Sequence, residues 1–410
     1  MGNILNIINS DKNFYDFNDA FREQYMKCTV GSFWSREVAK YFRLKLWNIE
    51  NIVDNKLYVY LIECGTKEAV YSSFLHIPEE IIDLVNKDRC KVLISYEAEG
   101  DLDVLSFNRW YTQTLRIHED TIKFNNFYVL HCEINCEKKN RTPINWVSST
   151  HHFDAISNEL VCVKEDTNFR KLEGFDYDFR LHNINDINLD NKTKFFSSYL
   201  RNCNREHRKA LGAYFQYNNL WKDNNLSFLK VSWNNATPKD ILPEKYWNSI
   251  SELDNLPPIE IDTFNQHDKP GFNTTLTSDW KHYQETFLSI ISETIFCGDS
   301  IFFSEKICKP LFNLHPFILM STPHCLKKLK EFGFQTFHPF IDENYDHEEN
   351  PLKRMELIFD QLDRFRNKSF EELKSWWNEI LPILEHNQNN FIKMGSGKTK
   401  KIRLLESFCG

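Results

Sequence analysis

The sequence predicts an α/β protein with two domains, and three observations support this. The chain has 410 residues, which is too long for one ordinary domain of about 100–200 residues. Hydrophobic residues make up 41% of it, enough to bury a sizeable core in each domain. Short apolar runs alternate with segments that begin and end as helices do, and this alternation is typical of parallel sheets with crossover helices.

The alternation is clearest over residues 287–337. Three apolar runs there are predicted strands: Phe287–Ile291, Pro316–Met320 and Phe334–Phe337. One predicted helix opens at Ser304. A second opens at Ser321 or Thr322 and ends at Gly333. These boundaries are typical of helices. A side-chain oxygen at the start accepts a free backbone N–H, an early proline has no N–H to leave unpaired, and a terminal glycine adopts the left-handed conformation that ends a helix.

Both halves of the chain show the same pattern. The other predicted strands are Lys56–Glu63, Cys90–Tyr96, Phe127–Cys132, Phe195–Tyr199 and Phe228–Trp233. The other predicted helices are Asp16–Met26, Ile77–Asn86, Asp103–Trp110, Arg205–Gln216, Thr277–Glu285, Leu352–Phe365 and Ser369–Leu384. Residues 136–190 lack a sustained period and are interpreted as loops and a connection. We therefore expect domains over residues 1–190 and 191–385, followed by a loosely ordered, basic polar tail over 386–410.

Composition disfavours several classes of protein. The net charge is −8, whereas a dedicated nucleic-acid binder usually carries a basic excess, so a nucleic-acid partner is not favoured. The 11 cysteines include no CxxC pair, which predicts reduced thiols in a cytoplasmic protein and no zinc site. No run of 18 apolar residues occurs, so no membrane span is expected.

A first candidate site follows the strand that ends near Ser292. The helix start at Ser304 offers free backbone N–H groups and the positive end of a helix dipole. Lys306 and Lys309 add positive charge suited to a diphosphate, and Glu305 suits ribose or sugar hydroxyls. Glu293 is interpreted as a ligand contact, with a capping role as its alternative. The alternative for the helix start as a whole is a capped, solvated first turn.

A basic cluster begins the helix after Phe195–Tyr199 and contains Arg201, Arg205, His207 and Arg208. Guanidinium groups match phosphate oxygens in geometry and charge, so the cluster is a candidate phosphate clamp. The alternative is a solvated basic face. Both basic segments follow strands of the same half, so one ligand is expected to contact both.

Carboxylates follow two strands of the first half. Glu97, Glu99 and Asp101 come after Cys90–Tyr96, and Glu133 comes after Phe127–Cys132. A carboxylate at a strand end suits a general base that deprotonates an acceptor hydroxyl. The alternative is an acidic surface turn.

The segment Gly395–Thr399, GSGKT, resembles the end of a phosphate-binding P-loop. The full motif needs a glycine at position 392, where this chain has Ile392, and neither a preceding strand nor a long following helix is predicted. The segment is therefore not interpreted as a P-loop.

Five segments of the second half carry a family resemblance: Ser292-Glu-Thr, Phe303-Ser-Glu-Lys-Ile-Cys-Lys-Pro, His315-Pro-Phe-Ile-Leu, Asn204-Arg-Glu-His-Arg and Leu326-Lys-Lys-Leu-Lys-Glu-Phe-Gly-Phe-Gln-Thr-Phe. The first three resemble the carboxy-terminal donor-binding region of GT-B glycosyltransferases of the α1,3-fucosyltransferase type. The pattern that begins at Ser304, together with the last two segments, is similar to glycosyltransferase-like proteins of phages and large viruses. The resemblance covers residues 195–345 and does not extend over 1–190.

The resemblance implies two Rossmann-like domains facing across a cleft, and transfer of a sugar from a nucleotide-sugar, such as a GDP- or UDP-sugar, to a hydroxyl of a glycan or other acceptor. Glu305 and Lys306 match the family's nucleotide-contacting pair, and Arg205 or Arg208 matches its phosphate-binding arginine. The family implies no metal and no other cofactor. A viral origin would place the protein in the host cytoplasm.

Two alternatives remain open at this stage. One is sugar transfer onto modified DNA bases, which the acidic charge disfavours. The other is a degenerate fold of the same class that acts as a binding or host-interaction protein without turnover.

Overall fold

The chain forms two compact units, one over residues 1–173 and 394–410 and the other over 174–393. The computed structural model describes residues 3–9, 41–47, 49–64, 67–96, 103–150, 153, 156–157, 181–231, 237–261 and 280–409. Each unit contains a sheet whose paired strands are all parallel, which confirms the predicted α/β class.

The first unit is built on a six-stranded sheet. Its strands are β1 (Asn3–Asn9), β2 (Phe42–Trp47), β3 (Tyr58–Glu63), β4 (Cys90–Tyr96), β5 (Phe127–His131) and β6 (Asn145–Ser148). They lie in the order β2, β1, β3, β4, β5, β6. The central strand β4 is buried along nearly its whole length, as expected of an apolar strand with both faces covered.

Helices pack against this sheet through apolar side chains. They are α1 (Lys67–Leu75), α2 (Glu79–Asn86), α3 (Val104–Thr114) and the short α4 (Cys136–Lys139). Asp103 starts α3 as the sequence predicts, since its carboxylate accepts the N–H groups of Leu105 and Ser106. One hydrophobic core includes Val70, Phe107 and Trp146.

The carboxy-terminal segment corrects the predicted tail. The helix α11 (Phe370–Ser396) continues far beyond Leu384, and α12 (Lys400–Ser407) follows it within the first unit. Ile402, Leu405 and Phe408 recur at a helical spacing and are buried against apolar side chains of β1 and β3. The GSGKT segment joins these two helices and follows no strand, so it is not a P-loop.

The second unit is built on a four-stranded sheet. Its strands are β7 (Lys194–Asn202), β8 (Asn225–Val231), β9 (Thr286–Ser292) and β10 (Phe317–Met320), in the order β10, β9, β7, β8. From β7 the chain moves to one edge and from β9 to the other. The strand order therefore reverses between β7 and β9, which is where parallel α/β sheets usually bind ligands.

The helices of this unit are α5 (Glu206–Tyr217), α6 (Trp247–Asn255), α7 (Trp280–Glu285), α8 (Glu305–Phe312), α9 (Cys325–Glu331), α10 (Pro351–Arg366) and most of α11. The helix α5 lies close to β8 because Gly212 has no side chain. A Cβ atom at Gly212 would lie 2.9 Å from Cε2 of Phe228 and 3.2 Å from Cδ1 of Leu253.

Several predicted elements differ from the structure. Phe334–Phe337 is not a strand, because Phe334 and Phe337 fill the core from a loop that follows the turn at Gly333, whose φ is +85°. The helix predicted from Ser321 or Thr322 begins instead at Cys325. Strands β1, β2 and β6 are absent from the sequence prediction. The predicted helix Asp16–Met26 lies outside the described residues.

Within the described part of the chain, no helix combines the length and the apolar character needed to cross a membrane. The nine described cysteines are free thiols.

Candidate functional site

The two basic segments meet at the carboxyl ends of β7 and β9, on either side of the reversal in strand order. The start of α5 follows β7, and Glu293 directly follows β9. The backbone N–H of Glu293 donates to the carbonyl of Met320, so the residue is fixed at the edge of the sheet beside β10.

The Glu293 carboxylate is fully buried and positions the start of α8. Its Oε1 and Oε2 atoms lie 3.2 and 3.3 Å from the backbone nitrogen of Ser304, whose N–H they share. Burial raises the pKa of Glu293, and the nearby charge of Lys306 partly opposes that rise. Glu293 therefore has the capping role that the sequence left as its alternative, and its contact with a ligand stays a prediction.

The helix start is a capped first turn, as the sequence predicts. The Ser304 hydroxyl accepts the backbone N–H of Lys306 at 3.2 Å and is itself buried. The Lys306 ammonium lies 2.8 Å from Oε1 of Glu305 and 3.2 Å from the Ser304 hydroxyl. The side chains of Lys306 and Glu305 are 27% and 26% exposed, so this pair is within reach of a ligand from solvent.

The basic segment after β7 binds the backbone that follows β9. Arg205 donates to the carbonyl of Thr294 at 3.1 Å, and Arg208 lies within hydrogen-bond distance of the carbonyls of Ser292 and Glu293. Arg208 is buried and Arg205 is partly buried, which rules out a purely solvated basic face. The end of β9 is thus held by two guanidinium groups.

His207 lies close to cations from both basic segments, Arg205 and Arg208 on one and Lys306 on the other. It is fully buried, and its Nε2 lies 2.8 Å from the carbonyl oxygen of Glu293, to which it donates. Burial, together with the nearby charges of Arg208, Arg205 and Lys306, lowers the pKa of His207 to about 3. A neutral imidazole between three cations marks a region of positive potential, which favours a bound anion.

The structure therefore brings together residues of both predicted segments: Arg205, Arg208, Glu293, Ser304, Glu305 and Lys306. Lys309 lies one turn along α8 from Lys306 and is partly buried. Arg201 lies within β7, near an irregularity of the strand between Leu200 and Asn202, and is exposed.

Sequence reasoning did not single out Ser292, the last residue of β9. Its hydroxyl oxygen is buried and has no hydrogen-bond partner among the described residues. A buried hydroxyl without a partner costs free energy that a polar ligand would recover. The signal available in the sequence was its position, directly before Glu293 at the end of a buried strand.

The predicted carboxylates of the first half are only partly described. Glu97, Glu99 and Asp101 lie outside the described residues. Glu133 is fully buried, with Oε1 2.5 Å from the Lys139 ammonium. Glu133 is therefore not part of an acidic surface turn, the alternative that the sequence left open, because its carboxylate is buried and paired with Lys139.

One group of side chains among the described residues has a geometry suited to a metal ion. It consists of His324, Asp346 and His347, whose ligand atoms lie within 4.8 Å of one another. No sequence pattern indicates this group, because none of the three residues stands in a recognisable metal-binding motif.

Comparison with solved structures finds two weak similarities. One is to a crystal structure of an α1,3-fucosyltransferase with GDP, at 11% identity and a TM-score of 0.34, over 94% of this chain and 93% of that chain. The other is to an α1,3-fucosyltransferase with GDP-fucose, at 10% identity and a TM-score of 0.28, over 99% of this chain and 89% of that chain. No protein-family model matches the chain, and no curated protein does.

Proposed function

We propose that the protein is a glycosyltransferase and that its second unit binds the nucleotide-sugar donor. The supporting observation is that Arg205 and Arg208, far in sequence from Ser304 and Lys306, meet them around Glu293 where the strand order reverses. That location is the usual ligand site of a parallel α/β sheet.

The donor diphosphate is the part of the ligand that the site fits best. Arg205, Arg208 and Lys306 supply positive charge on two sides, and the first turn of α8 adds a helix dipole. Charge develops on the diphosphate as the sugar leaves, and cations fixed in a partly dry site stabilise that charge. Lys309, one turn farther along α8, extends the same charged face. We assign this neutralisation to side chains, without a metal ion.

Two further roles complete the proposal. Glu305, held beside Lys306, binds donor hydroxyls. One carboxylate among Glu97, Glu99 and Asp101 deprotonates the acceptor hydroxyl, since Glu133 is fully buried and paired with Lys139. Neither the acceptor nor the nucleotide is specified by the residues in the site, so a GDP- and a UDP-sugar are equal candidates for the first test.

A screen of ligands by thermal shift tests donor binding, since a ligand that binds only the folded state raises the melting temperature by mass action. UDP, GDP and their common sugar conjugates are compared, and the best is titrated by calorimetry. Lys306→Ala and Glu305→Ala are expected to abolish binding while the far-ultraviolet circular dichroism stays unchanged. Lys353→Ala, which removes an exposed lysine of α10, is the control. Full donor affinity in both site variants contradicts the proposal.

Turnover separates an enzyme from a binding protein. Release of the nucleoside diphosphate is measured with a panel of hydroxyl acceptors, including glycans and duplex DNA with hydroxymethylated bases. Release that depends on an acceptor and is lost in Lys306→Ala supports transfer. Tight donor binding without release, across the whole panel, would identify a binding protein instead.

A further inference from the structure

Two histidines and an aspartate come together on the second unit, outside the proposed donor site. His324 follows β10 and immediately precedes α9, whereas Asp346 and His347 end the short helical turn Asn344–His347. One ligand atom from each lies within 4.8 Å of the other two. All three belong to the continuously described segment 280–409.

The backbone fixes these side chains before any ligand binds. The N–H of His324 donates to the carbonyl oxygen of Asp346 at 2.6 Å, which joins the two segments directly. His324 has a φ of +67°, a left-handed conformation that residues other than glycine seldom adopt. Such strain persists only where the surroundings enforce it, and it tends to occur at functional positions.

A carboxylate contacts the ring of His324. Its Nε2 lies 3.1 Å from Oε1 of Glu349, and its Nδ1 is buried with no hydrogen-bond partner among the described residues. When Nε2 carries the proton and donates to Glu349, Nδ1 presents a lone pair. A histidine whose second nitrogen donates to a carboxylate is the usual arrangement of a metal-bound imidazole.

Asp346 has a structural role that does not prevent it from binding a cation. Its Oδ1 and Oδ2 accept the N–H groups of Leu326 and Lys327 at 2.8 and 3.0 Å, so it caps α9. Each carboxylate oxygen has a second lone pair, which remains available for a metal. The capping role alone explains Asp346, but it does not explain the buried, unpartnered Nδ1 of His324.

His347 completes the donor set from the exposed side. Its ring centroid lies 5.7 Å from that of His324, with the ring planes 54° apart. Two imidazoles and one carboxylate suit zinc and related divalent transition metals, whereas calcium and magnesium prefer oxygen ligands alone.

We propose that His324, through Nδ1, Asp346 and His347 bind one divalent transition-metal ion of the zinc class, with Glu349 orienting His324. The ion joins the loop after β10 to the segment before α10. That loop also contacts the connection between β9 and α8, because the Thr322 hydroxyl donates to the carbonyl of Ser300 at 2.8 Å. The proposal does not depend on the proposed function.

Metal binding is measured on full-length protein freed of metal by a chelator and dialysis. Zn²⁺ is titrated against a chromophoric competitor, and Co²⁺ is titrated by visible absorption. The wild-type chain is expected to bind one equivalent more than His347→Ala or His324→Ala. His347 is exposed, so its replacement leaves the fold intact, as a metal-free thermal melt will check. His118→Ala removes an exposed histidine of the first unit and is the matched control.

Two further readouts identify the ligands. Glu349→Gln is expected to weaken the affinity by about 10–100-fold, the usual effect of losing a carboxylate that orients a metal-bound histidine. The Co²⁺ complex is expected to show visible bands without thiolate-to-cobalt charge transfer in the near ultraviolet. The proposal is overturned by a wild-type chain that binds no Zn²⁺ or Co²⁺. It is equally overturned if both histidine variants bind as many metal equivalents as the wild type. A thiolate-to-cobalt band that appears as the Co²⁺ equivalent binds would overturn it too.

Discussion

The buried Glu293 carboxylate lies 3.2 Å from the backbone nitrogen of Ser304 and connects the end of β9 to the start of α8. Because Ser304 begins the turn that carries Glu305 and Lys306, this single contact sets the position of the predicted donor-binding residues relative to the sheet. Arg205, His207 and Arg208 hold the same strand end from the other side. Glu293 therefore positions the charged side chains of the site through a hydrogen bond to backbone.

Replacement of Glu293 should separate its acceptor role from its charge. Glu293→Ala leaves the buried Ser304 N–H without a partner and is expected to lower the free energy of unfolding by about 1–3 kcal/mol. Glu293→Gln keeps an acceptor oxygen for that N–H and removes only the charge, so this variant should be close to wild type. Urea denaturation measures both. Equal destabilisation by the two substitutions would show that the charge, and not the hydrogen bond, is what matters.

Acidification should destabilise the protein through His207. Its pKa is about 3 in the folded chain and about 6.5 when unfolded, so between those values the unfolded state binds the extra proton. The contribution of neutral His207 to the free energy of unfolding is complete above pH 6.5. It is lost as the pH falls towards 3, at up to about 1.4 kcal/mol per pH unit. Denaturation from pH 7 to 4 should show a shallower loss in His207→Gln, which keeps an N–H donor and does not titrate. His118→Gln is the exposed control, and an unchanged slope in His207→Gln contradicts the assignment.

The close packing of α5 on β8 predicts the effect of adding one methyl group. Gly212→Ala gains helix propensity of about 1 kcal/mol, but its Cβ would lie 2.9 Å from the buried ring of Phe228. Overpacking costs about 1–3 kcal/mol, so we expect net destabilisation of about 1 kcal/mol. The loss should shrink when Phe228→Leu is present, as a double-mutant cycle will measure. A more stable Gly212→Ala would show that the helix moves freely away from the strand.

The last helix should contribute to the stability of the first unit. Leu405 is fully buried in the core on one face of the six-stranded sheet, so Leu405→Ala is expected to cost about 2–5 kcal/mol. Ser407→Ala, at an exposed position of the same helix, should stay within about 0.5 kcal/mol. Chemical denaturation and limited proteolysis are the measurements. A loosely ordered tail would instead make the two variants equivalent.

Apolar runs and helix boundaries are local patterns, so the α/β class and most of the buried strands can be predicted from the chain alone. Cys90–Tyr96 was predicted with its observed limits, and Ser304 was predicted as the residue that starts α8. Two predictions from local patterns were wrong. The apolar residues of Phe334–Phe337 favour a strand, and the glycines and lysines around α12 favour a tail, but the structure shows a loop and a helix. An apolar run does not reveal whether it pairs with a neighbour or fills a core from a loop.

Local patterns do not predict which residues meet. Arg205 and Lys306 were each recognisable as basic residues near strand ends, but their convergence required the strand order, which places β7 beside β9. The roles of Glu293 and His207 likewise depend on burial and on backbone partners distant in sequence. His324 and Asp346 lie in segments with no metal-binding spacing, and the fold alone brings them together. Sequence patterns report local periodicity, whereas a site depends on contacts between distant segments, which the packing of the elements fixes.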